Sequence, residues 1–209
     1  MSIVNDYTIK QIDYHTAMKI VIAKHYLHRK CPCSYAFGLF ENITGNIVGV
    51  VTYGVPCSTT LQRGICGNEE QHNVYELNRL WVDDSAPRNA ESFLVAHTMP
   101  LLDREIIVSY ADASRGHTGY VYQATNFIYT GMSIKFKDPV VKGKEGQHHS
   151  TFAHGMDKKT VLSTYGTANV TYKDRSQKHR YIYFNAKGKR KKELLGKLRY
   201  PVLPYPKNK

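Results

Sequence analysis

Polar and charged side chains crowd two short stretches of this sequence, DDSAPRN at 83–89 and DASRGH at 112–117. Each follows a run of β-forming residues and precedes a helical one. Ligands of open α/β sheets bind outside the carboxyl ends of the strands, so an active site is expected at these two turns. At the first, Arg88, Asn89 and Ala90 open a helix whose free amides and positive dipole end suit an anion. Ser92, in the first turn of that helix, would serve the ligand or only the helix end. At the second, Asp112 is the last residue of a strand, where a carboxylate acts on a ligand or caps the turn. Upstream, Arg79 in ELNRLWV alternates with Leu77 and Trp81, an apolar setting that demands an ion pair or a bound ligand. Tyr122 and Asn126 are four residues apart on a predicted helix and so one turn apart. His25 and Tyr26 fall at i+7 and i+8 from Met18, on the apolar face that Val21 and Ile22 share. They point to core packing or to a pocket.

These residues need elements to hold them. A weakly alternating strand is read at 7–12, and Asp13 is the N-cap of a helix running to about residue 28. Two β-rich runs, 33–41 and 47–55, flank the turn NITGN and form a hairpin. Residues 56–73 read as a long loop of the kind that often carries function. Then come a strand at 74–82, a helix at 89–104, a strand at 105–112 and a helix at 118–129. A parallel strand pair needs such a crossover. A short strand follows at 133–137, then a polar loop at 138–154, a short helix at 156–163 and a clear strand at 180–185. Residues 186–197 are basic and helical after Gly188, and the prolines of 200–206 keep that stretch extended. The fold class is α/β with a mixed sheet: one domain over 1–185 and a basic C-terminal tail over 186–209.

Hydrophobic content of 42% supports an ordinary core. No apolar run is long enough to span a membrane, and the N-terminus lacks the layout of a signal peptide. Four cysteines fit neither a zinc pattern nor a secreted disulfide framework and read as reduced thiols. His148, His149 and His154 have no acidic or cysteine ligand at a metal spacing, which favours a surface loop. Net charge is +12, and from Thr171 onward thirteen Lys or Arg face two acidic residues, so the rest of the chain is nearly neutral. The split points to a polyanion, most simply nucleic acid, bound through Lys187, Lys189, Arg190, Lys191, Lys192, Lys197 and Arg199. Interleaved tyrosines in the same stretch suit base stacking.

A hairpin feeding a strand, then helix, strand and helix, is the order of GNAT-type acyltransferases. The stretches YELNRLWVDDSAPRNAESF, SYADASRGHTGYVYQATNFIYTG and KHRYIYF, with the closing PVLPYPK, resemble the Mom family of phage DNA-modification proteins. The resemblance implies a GNAT-like fold and conversion of adenine in DNA to an N6-methylcarbamoyladenine-type base that shields phage DNA from restriction. It implies work in the cytoplasm of the infected bacterium on double-stranded DNA, with no membrane partner; a dimer is one option for the oligomeric state. It further implies acetyl-CoA or a related acyl-CoA as donor and iron as a candidate cofactor, with His25, Tyr26 and Asp112 at the metal or catalytic positions. In the GNAT layout Tyr122 is placed to protonate a leaving thiolate. One departure stands out: the turn DDSAPRNAES lacks the glycines with which acetyltransferases hold the coenzyme A pyrophosphate.

The chemistry is demanding. Adenine N6 is a poor nucleophile inside a duplex, so the base must be flipped out or met in a single strand. Asn78 or Asn126 could read its edge, and Trp81 or Tyr120 could stack on it. The product holds a nitrogen that an acetyl group lacks, so acetyl transfer alone does not make it. Two other readings stay open: a GNAT-type N-acetyltransferase for a protein or small-molecule amine, and a non-catalytic DNA-binding protein.

Overall fold

The structure, a computed structural model, describes residues 3–147, 149–153 and 155–207. His148 and His154 of the histidine cluster lie outside that set. In chain order the elements are α1 (Ile3–Asp6), β1 (Tyr7–Gln11), α2 (Tyr14–Lys24), β2 (Tyr35–Glu41), β3 (Ile47–Gly54), α3 (Thr59–Cys66), β4 (Val74–Val82), α4 (Ala90–Thr98), β5 (Ile106–Asp112), α5 (Tyr120–Ala124), β6 (Ile128–Met132), β7 (Lys137–Val141), α6 (His149–Phe152), α7 (Lys158–Tyr165), β8 (Val170–Asp174), β9 (Lys178–Phe184) and α8 (Gly188–Lys197).

Seven strands form one mixed sheet in the order β1-β2-β3-β4-β5-β9-β6. Only β4 and β5 run parallel, and α4 with the turn after it supplies the crossover. Alternation along each strand sends side chains to two cores. On one face Leu39, Val51, Leu77, Ile107 and Tyr181 pack under α4 through Leu94 and Val95. On the other, Val74, Val108 and Ile182 pack under α3 and α8, the latter through Leu194. On this same face α2 seats Ala17, Met18 and Val21 on Ala36 and Val50. Full burial of a side chain such as Leu94 contributes about 1.5–3 kcal/mol. Elements β7, α6, α7 and β8 form a small body between β6 and β9, with a core of Val141, Ala153, Val161 and Val170.

Several expected elements differ. The 56–73 stretch is not a bare loop: Ser58 caps α3, accepting from the Leu61 amide at 3.2 Å. Residues 138–154 hold β7 and α6 rather than loop alone, and no strand occupies 133–136. The helix expected at 89–104 ends at Thr98, where a 3-10 turn containing Pro100 takes over. Asp13 does cap α2, accepting from the Thr16 amide at 3.0 Å, but the helix stops at Lys24. His25 has an extended backbone (φ −76°, ψ 139°), so His25 and Tyr26 leave the helix instead of riding its apolar face. The helix expected at 118–129 is only five residues long. Asn126 takes the left-handed conformation at φ 62°, which Asn tolerates, and Ile128, Tyr129 and Thr130 turn into the edge strand β6. These β-branched and aromatic residues gain a partner in β9 that a longer helix would have left unpaired.

Candidate active site

The parallel pair β4–β5 is in register from Val74 opposite Ile106 to Leu77 opposite Ser109, and stops there. Both strands continue, so they splay, and the gap between them opens a cleft of about 950 Å3. Strand β4 contains a bulge beside it. Leu77 stands opposite Tyr53 and Arg79 opposite Thr52, leaving Asn78 as the extra residue. The bulge corrects the sequence-based alternation. Leu77 and Leu80, three apart, both face the α4 core, while Arg79 pairs with Thr52 on the face that carries α2.

The cleft therefore passes through the sheet and has two walls. On the α2 side are His25, Tyr26, Glu76, Arg79, Tyr110 and Lys178; on the α4 side are Leu80, Glu91, Val121 and Tyr122. Glu76 is not among the site residues expected from the sequence, although a carboxylate inside an apolar β-run is itself a signal. Burial raises its pKa, and Lys178 and Arg79 pull the other way. Arg79 is buried. Its Nη1 donates to the Asn78 carbonyl at 2.5 Å, but its Nε has no partner. Among the described residues Arg79 makes no ion pair; its Nη2 donates to the Lys30 carbonyl at 3.4 Å, and its charge acts on Glu76.

Tyr122 packs its ring against Phe127 and Tyr181, each at 5.3 Å between centroids. Burial pushes its hydroxyl up to about 12, with Ser109 beside it pulling down, so it stays protonated at neutral pH. Gly119 sets this wall. Its φ is 81°, and a Cβ there would run into the Tyr181 ring. Tyr120 stands at the cleft with most of its side chain exposed.

His25 and Tyr26 do reach the cleft, stacked at 4.4 Å, with His117 edge-on to Tyr26 at 6.0 Å and Arg115 over its ring at 5.5 Å. The Leu27 amide donates to His25 Nδ1 at 3.1 Å, which puts the neutral proton on Nε2. Burial first, then the positive charge of Arg79, brings the His25 pKa down to about 4. Burial also raises the Tyr26 hydroxyl, so it stays a phenol. An iron centre on His25, Tyr26 and Asp112 does not fit this arrangement. Ligation through Nε2 needs the proton on Nδ1, where it would face the Leu27 N–H. Asp112 is absorbed in a turn: its Oδ1 accepts from the Ser114 amide at 3.0 Å and hydroxyl at 2.7 Å, and Oδ2 from Ser176 at 3.3 Å. Burial works to raise its pKa, but these bonds and Lys178 outweigh it and bring it down. Among the described residues no group of three or more His, Cys, Asp or Glu is arranged to hold a metal.

Other expected site residues lie elsewhere. Asn126 is on the exposed turn after α5, no longer one turn from Tyr122. Asn78 is the exception: it lines the cleft, with its amide accepting from Thr52 and donating to Pro32, each at 2.6 Å. Ser92 Oγ donates to the Asn89 carbonyl at 3.0 Å and serves the helix end. Ala90 is buried in the core and its amide donates to Pro87 at 2.8 Å, so it does not face a ligand. Arg88 and Asn89 are at the surface at the start of α4, where Asn89 makes no side-chain cap. The basic residues divide. Lys187, Lys189, Lys191, Lys192 and Arg199 are exposed, whereas Arg190 and Lys197 lie in a network with Glu70, Glu105 and Glu193 at 2.7–2.9 Å. The tail beyond α8 folds back: Tyr205 donates to the Phe127 carbonyl at 2.7 Å, and Pro206 and Lys207 reach the cleft.

Among solved structures, two acetyltransferases are similar to this chain. The ribosomal-protein-S18-alanine N-acetyltransferase of Escherichia coli is 11% identical, with a TM-score of 0.49 over 87% of this chain and 96% of its own. A GNAT family acetyltransferase of Elizabethkingia anophelis, solved with acetyl-CoA bound, is 10% identical, with a TM-score of 0.47 over 86% and 99%. In sequence the chain is 28% identical to the methylcarbamoylase Mom of Escherichia phage Mu, over 95% of this chain and 83% of that one. The Mom protein family model matches residues 6–207, and the chain belongs to that family.

Proposed function

We propose that this protein is a DNA-modifying enzyme that adds an N6-methylcarbamoyl-type group to adenine, in phage DNA that is thereby shielded from restriction. The observation that carries the reading is the two-walled cleft in a chain of this family. A carboxylate and a protonated tyrosine approach it from opposite sides of the sheet. The target base enters from the α2 face, which also carries the exposed lysines of α8. Glu76, between Arg79 and Lys178, takes the proton that N6 loses on attack. Burial makes its carboxylate more basic than an ordinary one, which suits a base working near neutral pH. His25 offers its Nε2–H as a hydrogen-bond donor to the base, and Tyr26 or Tyr120 supplies a stacking surface. From the α4 face, Tyr122 gives its proton to the leaving group.

For the donor, the splayed edge of β4 leaves backbone groups without a strand partner. The first turn of α4 offers the amides of Glu91 and Ser92, which lack intrahelical acceptors, with Arg88 beside them. These residues suit the phosphates of an acyl-CoA even without a glycine turn. Such a donor would supply only an acyl carbon activated as a thioester: N6 bonds to that carbon, the carbon–sulfur bond breaks and the thiolate leaves with the Tyr122 proton. The additional nitrogen of the product requires a separate step or a donor that already carries it.

The test is mass spectrometry of nucleosides from plasmid DNA of bacteria expressing the protein. A heavier deoxyadenosine with the added mass on the base is expected, and Glu76→Gln should remove it while leaving the protein soluble. Only unmodified deoxyadenosine from abundant, soluble wild type would overturn the proposal.

A further inference from the structure

Between β6 and β7 the chain presents Ser-Ile-Lys-Phe, residues 133–136, in no regular structure. Ile134 is 69% exposed and Phe136 50% exposed. Ile134 and Phe136, two residues apart, form a small exposed apolar patch whose burial against a partner would be favourable. Their position is set by the cleft wall. Met132 pairs with His179, the Ser133 amide donates to the Lys178 carbonyl at 2.7 Å, and the Lys178 amide donates back to Ser133 Oγ at 3.0 Å. Lys178 and His179 both line the cleft. Ile134 is thus one residue beyond the wall. Phe136 is held in place: its carbonyl accepts from the Arg175 amide at 2.8 Å, and the Arg175 guanidinium, ion-paired with Asp138, lies 5.5 Å from its ring.

We infer that Ile134 and Phe136 form a wedge that enters the base stack of double-stranded DNA and holds open the place vacated by the flipped adenine. The inference rests on the function proposed above and names the device by which that cleft obtains its base. Extracting a base from a duplex leaves a hole, and proteins that unstack base steps fill it with apolar side chains. The charge around the pair matches this occupant: Lys135 and Lys137 alternate with Ile134 and Phe136 and are exposed, and while Lys137 lies 3.9 Å from Asp174, Lys135 is in reach of phosphates as the apolar pair enters. The anchoring of Phe136 keeps the wedge ordered before DNA arrives, which lowers the entropy lost on binding.

Chloroacetaldehyde reacts with adenines out of pairing, so it reports opening without a donor and whatever the target sequence is. The probe is a restriction-fragment duplex with wild type, with the double variant Ile134→Ser, Phe136→Ser, and with Phe136→Leu. Wild type is expected to produce reactive adenines. The double variant should lose them at least tenfold while keeping the same salt slope of binding, and Phe136→Leu should restore most of them. Reactive adenines undiminished in the double variant would overturn the inference and leave the patch to another partner. So would wild type that binds duplex and opens none, while modified deoxyadenosine in cellular plasmid would show that the functional reading survives on its own.

Discussion

The basic residues of α8 and its flanks offer a sharp test, because the structure divides charges that look alike in the sequence. Lys187, Lys189, Lys191 and Lys192 are exposed and, among the described residues, in no ion pair, whereas Arg190 and Lys197 hold Glu70, Glu105 and Glu193. A phosphate contact on B-DNA contributes roughly 0.9 to the slope of log affinity against log salt. Changing the four lysines to Gln should therefore flatten the slope by up to about 3.6. Between about 50 and 200 mM salt this removes a difference in affinity on the order of a hundredfold. Arg190→Gln and Lys197→Gln should leave the slope nearly unchanged and lower the thermal midpoint instead, since they strip partners from Glu70. Fluorescence anisotropy with a short duplex over a salt series measures the slope, and thermal denaturation measures stability. Equal flattening by the paired and the exposed residues would refute the reasoning, because a cation held by two or three carboxylates cannot release counterions from DNA as a free one does.

Three other outcomes follow from the site and its supports. Glu76→Gln should reduce modification by about 10²–10⁴-fold. The wild-type rate should rise with pH through a pKa above that of an ordinary glutamate, since burial raises it; a variant that keeps this limb would assign the base elsewhere. Glu70 is held down at about 2 against its usual 4.5, first by the hydrogen bond from Arg190. A depressed carboxyl stabilises the fold above its unfolded pKa, so this contribution is complete above about pH 4.5 and is lost as pH falls toward 2. Unscreened it would be about 3 kcal/mol, and solvent at the edge of the network reduces it to roughly 1–2 kcal/mol. Thermal midpoints of wild type and Glu70→Gln should therefore converge in acid, and a gap independent of pH would contradict this. Gly119→Ala meets both a φ of 81° and the Tyr181 ring; it should lower stability and modification together, and a neutral result would show that this wall is free to move.

Much of the frame is legible in the order of residues. The hairpin of β2 and β3, the strands β4 and β5 and the Asp13 cap depend on local alternation, turn chemistry and capping, which a sequence displays directly. The place of the cleft is legible only in part: of the two turns where a strand–helix–strand crossover points, 112–117 lines it through Ala113, Gly116 and His117, and none of 83–89 does. Arg79 and Tyr122 stand out in the sequence and do face that cleft, and so does Glu76, a carboxylate in an apolar β-run that carries a signal of the same kind. What the residues nearby do not encode is who sits opposite. Strand β9 inserts between β5 and β6 from far along the chain, and that pairing turned the last two residues of an expected helix into the start of an edge strand. One extra residue at Asn78 rotated Arg79 to the other face of the sheet. The end of α2 released His25 and Tyr26 from a helical face, and the Leu27 amide then chose the imidazole tautomer. Arg190 is a free cation on paper, and only the fold supplies Glu70 and Glu105 beside it. Periodicity and capping are local energies and are written in the sequence; strand partners, bulges and ion pairs are non-local ones, and they exist only once the chain has closed on itself.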